Sequence, residues 1–407
     1  MNRRSGLSSE RGATLINAAM IVFLSFGLGT FVVDYGAFWL SRHQAQNAAD
    51  AGAMAGALAR AFDDFDDPPD SAGPAFRNAS QVAGLNLPSS VVAAPSFPAC
   101  PAELTGPDRC VRVDVSLDET NYPELLKPRF GKTLLLTTQS VQATATARVL
   151  VANATNCLRP WAVPDKWTEA SLPPNPSFRK YNDATGALLG APHDEYQAPD
   201  SADPGTGFRF ATGNAPSPAP EAGDFGLALP LTFSTNPSLV TDLIVPGWLV
   251  ALDLPGGYAA CNGQLVQVGD QVALSPANPS TADFTQLFDQ DPGATWESAS
   301  RTIGGSCAPA CAPISPRVVA VAVFDTELFQ YRRAVMDWTM CPPGRPGCAQ
   351  CPSSVVPCAS IVNIVGAFID DSVGGSVHLT SYLGVASTDL PRLSRDSSFL
   401  KAVTLVR

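Results

Sequence analysis

Cys341, Cys348, Cys351 and Cys358 form the densest group of reactive side chains in the sequence, in a Cys-x6-Cys-x2-Cys-x6-Cys spacing. Four thiolates at such spacing suit a tetrahedral zinc ion, and the same thiols can close as two disulfides. Cys100, Cys110, Cys157, Cys261, Cys307 and Cys311 bring the total to 10, and an even number in an exported chain favours disulfides over zinc. Pairing is not legible from spacing. Cys348 and Cys351 also make a Cys-x-x-Cys, but among prolines and glycines rather than at the strand-to-helix junction of a thioredoxin-like dithiol.

Oxygen ligands are sparser. Asp114-x-Ser116-x-Asp118 offers hard oxygens to a divalent cation. These residues alternate with Val111, Val113, Val115 and Leu117, so the outer face of a half-buried strand explains them better. The acidic run from Asp63 to Asp70 lacks the spaced ligand loop of an EF-hand, and the Asp370-Asp371-Ser372 group sits before a Gly-rich turn. His43, His193 and His378 are scattered, without a His-Glu-x-x-His helix, a Gly-x-Ser-x-Gly elbow or a phosphate-binding glycine loop. The expectation is a non-enzyme with no catalytic residues, no metal and no cofactor.

The elements that position these residues begin with Ala13–Val33, an uncharged stretch of 21 residues flanked by Arg3, Arg4 and Arg11 before it and Asp34 after it. About 20 apolar helical residues cross a bilayer core. The positive charge on the N-terminal side predicts a cytoplasmic tail and an exported body, hence a single-pass protein of the inner membrane with its body in the periplasm. A cleaved signal would have a shorter apolar core of about 7–15 residues and a small-x-small site behind it. Net charge is −11, while the first twelve residues contribute +2, so the body is acidic and repels phosphate backbones; nucleic acid is not an expected partner.

Helix pattern continues past the membrane surface. Tyr35–Phe62 contains no proline, and a rod from Ala13 to Phe62 would be about 75 Å long before Pro68 and Pro69 stop it. Ala45, Ala48, Gly52, Ala55 and Ala59 recur at three- and four-residue steps, a stripe of small side chains that admits close approach of another backbone. Either the protein's own body or a second protein can fill that place.

Arg11-Gly12-Ala13 with the apolar run, then Val33-Asp34-Tyr35-Gly36, Gln44 and Ala48-Ala49-Asp50-Ala51-Gly52-Ala53-Met54-Ala55-Gly56-Ala57, resembles the N-terminal segment of TadG-like proteins of the Flp (Tad) pilus-assembly system. The likeness is firm over about residues 11–60 and weaker to about 150. It implies a membrane-anchored, non-catalytic assembly component, with the inner membrane and other pilus-assembly proteins as partners. Some TadG-like proteins carry a von Willebrand A-type domain with an Asp-x-Ser-x-Ser cation loop; here Asp118 replaces the last serine. Related minor pseudopilins are cut after a glycine and carry Glu at the fifth mature position. If Gly12 were that glycine, the fifth position would be Asn17, so a retained N-terminus is expected.

The fold class expected is α+β: an N-terminal transmembrane helix continuing into a long helix, then a mostly β extracytoplasmic body. The expected organisation is a tail at 1–12, a span at 13–33 and a TadG-like α+β module at 34–152. A Pro-rich linker or long loops at 153–224 and a mostly β domain at 225–407 follow. Within the module, 122–130 reads as a short helix and 134–151 as one or two strands. Prolines from Pro160 to Pro220 set the linker, and short apolar segments punctuated by Gly and Pro set the last domain. The alternatives are an envelope secretion or adhesion protein that shares the anchor, and an exported disulfide-containing enzyme, which titratable residues gathered in a deep pocket would favour.

Overall fold

The structure is a computed structural model. It describes residues 7–62, 71–87, 93–100, 109–118, 120–121, 126, 140–170, 177–210, 223–230, 232–233, 248–256, 260–261, 263–277, 281–308, 311–312, 314–345, 347–370, 375–386, 393–394 and 397–406. The acidic run 63–70, nearly all of 122–130 and Asp371-Ser372 lie outside these residues. The chain divides into two units: residues 1–60, 69–148 and 404–407 in the first, and 61–68 and 149–403 in the second.

In the first unit, α1 runs unbroken over Leu7–Phe62, 56 residues or about 84 Å. No proline interrupts its ladder, and alanine dominates its second half. The described side chains of its apolar stretch from Gly12 to Val33 are exposed: Leu15, Phe23 and Phe26 are each about three-quarters exposed, and the most apolar window has no buried residue. It is a candidate membrane span. Burial begins with Asp34 and Ser41 and continues through Ala45, Ala48, Ala49, Gly52, Ala53, Gly56 and Ala57.

A second helix, α2 (Pro74–Leu85), starts with proline at its first turn, where no N–H is needed. It buries Ala75, Ala79 and Ala83, one small residue per turn. The unit also carries the strands β1 (Ala93–Ser96), β2 (Arg109–Leu117) and β3 (Val141–Val151), which lie in a five-stranded sheet. β1 and β2 pair antiparallel, with Ala93 opposite Val115. The period-two expectation holds in β2, whose Val111, Val113, Val115 and Leu117 are buried while Arg112 and Ser116 are exposed.

The second unit is built on an eight-stranded sheet. At its centre lie β4 (Leu158–Pro164), β5 (Val318–Phe324), β6 (Cys358–Ile369) and β7 (Ser376–Thr380). β4 and β5 run parallel, while β5–β6 and β6–β7 are antiparallel. β4 falls within the stretch whose prolines predict loops. Pro160 lies where the β4–β5 register shifts and Pro164 at the strand end, positions where a missing N–H costs little.

Every residue of β4 and β5 is buried, so the sheet is covered on both faces. One face packs Leu158, Ala162, Ala320, Ala322 and Phe324 against Phe178, Tyr196, Phe329 and Trp338. The other packs Trp161, Val319, Val321 and Val323 against Phe208, Phe225 and the short helix α3 (Thr281–Phe288), which supplies Phe284 and Leu287. Beyond β5 follows α4 (Thr326–Val335), capped by Asp325, whose carboxylate accepts from the Leu328 N–H at 2.8 Å. The body is therefore a mixture of helix and strand.

Candidate functional site

Because β4 and β5 run parallel with Pro164 opposite Phe324, the next residue of each strand, Asp165 and Asp325, emerges at the same carboxyl end. The Asp165 N–H donates to the Phe324 carbonyl at 3.0 Å. Ligand sites of parallel sheets gather at this end. Both carboxylates are buried. Asp165 accepts from the backbone N–H groups of Phe208 at 2.9 Å and Lys166 at 3.0 Å, and from the Tyr196 hydroxyl at 3.0 Å. Burial pushes its carboxyl up to about 7 against those three donors, and neighbouring Asp325 adds to the rise. Gly207 is required here, since a β-carbon would collide with the Asp165 carboxylate.

Asp325 is also raised by burial, and Arg345 opposes that rise. Arg345 grips Asp325 with both terminal nitrogens and lies 3.8 Å from Glu327. Glu327 pairs with Lys180 at 2.9 Å and accepts the Tyr181 hydroxyl at 2.7 Å. Above this network opens a cleft of about 620 Å³, walled by Tyr181, Tyr196, Glu327, Arg345, Pro342 and Pro343 among others. Asp165 itself does not line the cleft, but Tyr196, whose hydroxyl donates to it, does. Arg345 and Lys180 are held by carboxylates, so the network is internally neutralised.

The cysteines lie in five disulfides: Cys100–Cys110, Cys157–Cys261, Cys307–Cys311, Cys341–Cys348 and Cys351–Cys358. The four thiols of the zinc-like spacing are thus joined in two consecutive rings. Between these rings sits Arg332, 1% exposed. Its Nη1 donates to Gln271 Oε1 at 3.1 Å and lies 3.3 Å from Cys351 Sγ and 3.9 Å from Cys358 Sγ; its Nη2 lies 3.8 Å from Cys348 Sγ and bonds the Ala349 carbonyl. Burial pushes this guanidinium down to about 10. Nothing in the cysteine spacing announces Arg332.

Other sequence candidates are engaged locally. Asp114 pairs with Arg112 at 2.8 Å and accepts the Thr144 hydroxyl at 2.6 Å, while Asp118 accepts the N–H groups of Thr120 and Asn121. His43 packs against Trp39, its exposed neighbour one turn back on α1. His378 stacks on Trp296, and its Nε2 lies 3.5 Å from both Asp370 Oδ2 and Ser376 Oγ. Both groups address one nitrogen, and Nδ1 faces the Gly226 carbonyl, so no Ser–His–Asp relay exists. His193 Nδ1 lies beside the Asp194 carbonyl.

Of the small-residue stripe, Ala45, Ala48, Gly52 and Ala59 are buried and Ala55 is half-exposed. A β-carbon on Gly52 would come 2.8 Å from the Ala83 methyl and 2.9 Å from the Ala79 carbonyl oxygen. Gly56, outside the stripe, is equally tight: its β-carbon would meet Val111 at 2.7 Å and Ala79 at 2.9 Å. α1 thus meets α2 and β2 through positions without side chains.

No curated protein and no solved structure matches the chain with significance. A family match spans the apolar half of α1 and the glycine-containing face just described: residues 12–60 match the sequence model of the putative Flp pilus-assembly TadE/G-like family.

Proposed function

We propose that the chain is a single-span inner-membrane protein, with a cytoplasmic N-terminal tail, a span at 13–33 and a periplasmic body. It serves as a non-catalytic structural or assembly component of a Tad/Flp-type pilus system. The observation that carries this reading is the coincidence of the family match at 12–60 with the one helix, among the described residues, long and apolar enough to cross a membrane. Arg3, Arg4 and Arg11 support the orientation. A reporter that works only outside the cytoplasm, fused after Phe62, is expected to be active, and pilus-assembly proteins are expected to copurify with the full chain. Cytoplasmic reporter activity would overturn the topology, and a pilus of normal abundance in a deletion strain would overturn the role.

The titratable groups around the Asp165 cleft favour a second reading, an exported enzyme. Tyr196→Phe and Glu327→Gln separate the two. On the assembly reading both variants restore pili to the deletion strain when they accumulate to normal levels; on the enzyme reading neither does.

A further inference from the structure

The Cys341–Cys348 ring encloses Pro342, Pro343, Gly344, Arg345, Pro346 and Gly347. It is therefore the covalent clasp on one wall of the cleft, because Pro342, Pro343, Gly344 and Arg345 all line it. Gly344 and Gly347 both take positive φ, of 82° and 70°, and a chain bent there, with Gly344 directly after Pro342 and Pro343, has little slack while the ring is shut. Arg345 is the ring's hold on the body, through Asp325 and Glu327.

The two disulfides of this region differ in access. Cys351 and Cys358 are 4% and 1% exposed, whereas Cys341 and Cys348 are only half-buried. They share one cation. Arg332 Nη2 lies 3.8 Å from Cys348 Sγ, and a fixed positive charge beside a sulfur stabilises its thiolate and makes it a better leaving group.

We propose that Cys341–Cys348 is a reducible latch on the cleft, opened by a dithiol reductant, with Arg332 as the positioning residue that stabilises the thiolate released. A thiolate of the reductant attacks Cys341 Sγ, forming a mixed disulfide, and the Cys341–Cys348 bond breaks with its electron pair leaving on Cys348 Sγ beside Arg332. The reductant's second thiol, as thiolate, then attacks its own sulfur in the mixed disulfide and displaces Cys341. Each released cysteine takes up one proton, and the two electrons come from the dithiol, which ends as its own disulfide. The inference stands apart from any pilus role.

The test uses the full chain in detergent, treated with dithiothreitol for increasing times, alkylated, and mapped by peptide mass spectrometry. Cys341 and Cys348 are expected to be modified at least about tenfold faster than the buried Cys351 and Cys358, with hydrogen exchange rising across the described residues of 341–348 as they open. Equal rates at these two disulfides, or no rise in exchange, would overturn the latch. Arg332→Gln is expected to slow the first reduction by about tenfold, and Arg332→Lys to retain most of the rate. A purely structural Arg332 gives the opposite sign, since a loosened loop is reduced faster. If Arg332→Gln does not fold, the pH dependence of Cys348 alkylation in the reduced wild type decides: a midpoint below about 8.5 supports the role of Arg332, and one at or above it overturns that role.

Discussion

Gly56 of α1 stands against Ala79 of α2 so closely that a β-carbon on the glycine would come within 2.9 Å of the alanine methyl. One turn earlier Gly52 meets Ala83 in the same way. Glycine weakens a helix by about 1 kcal/mol relative to alanine. That cost is offset here because the backbones can approach within a distance no side chain allows.

Gly52→Ala and Gly56→Ala should therefore destabilise despite the helix propensity gained, by about 1–3 kcal/mol, and Gly52→Leu by more. The obstacles at Gly52 are a methyl and a backbone carbonyl, neither of which can swing aside. Gly36→Ala, with nothing within 4 Å, should instead be neutral or stabilising. Thermal melts of the full chain in detergent would distinguish the two classes.

Stability should fall as pH rises through the range set by Asp165. Its native carboxyl is raised from the ordinary 3.8 to about 7, so between these values the native state binds more protons than the unfolded one. Stability therefore decreases with pH across that window, by roughly 4 kcal/mol at most for a shift of about three units. Asp325, also raised, acts in the same direction. Urea midpoints of Asp165→Asn should depend less on pH between 5 and 8 than those of the wild type.

Among the disulfides, Cys157–Cys261 spans 104 residues and Cys307–Cys311 only 4. The chain-entropy model assigns about 4.7 kcal/mol to closing a loop of about 100 residues and about 2 kcal/mol to one of about five. Replacing both Cys157 and Cys261 with serine should lower the melting temperature well beyond the Cys307→Ser, Cys311→Ser double variant. Equal losses would mean that native-state strain or solvation, and not loop closure, dominates.

Arg317 is a buried cation that donates to backbone carbonyls: to Ile369 at 2.8 Å from Nε and to Ala294 and Asp370 at 2.6 Å each from Nη1 and Nη2, with its carbon 4.1 Å from the Phe288 ring. Lysine cannot reproduce that fork. Arg317→Lys should cost about 3 kcal/mol or more, since it leaves buried carbonyls unpaired. Denaturant titration of the variant would check it.

The residues that lie close in sequence were legible. The alternation of Val111 through Leu117 shows in burial, and the proline-free stretch to Phe62 is one helix. The Asp165–Asp325 pair was not legible, because it exists only through the parallel register of two strands about 160 residues apart, and each aspartate alone reads as the polar end of an apolar run. Prolines hid β4 for a related reason. Local propensity counts Pro160 as a breaker, whereas the irregular register at that point needs no donor from it. Arg332 was hidden as well, since its position on α4 says nothing about which sulfurs fold over it.

The unbroken ladder of α1 gives the proposed anchor a mechanical character. A helix without proline, running from Leu7 to Phe62 and gripped by α2 and β2 from Gly52 onward, has no slack segment at the membrane surface. If the apolar half is inserted as proposed, a force applied to the first unit would tilt it in the bilayer, as a lever tilts about its fulcrum, instead of stretching a tether.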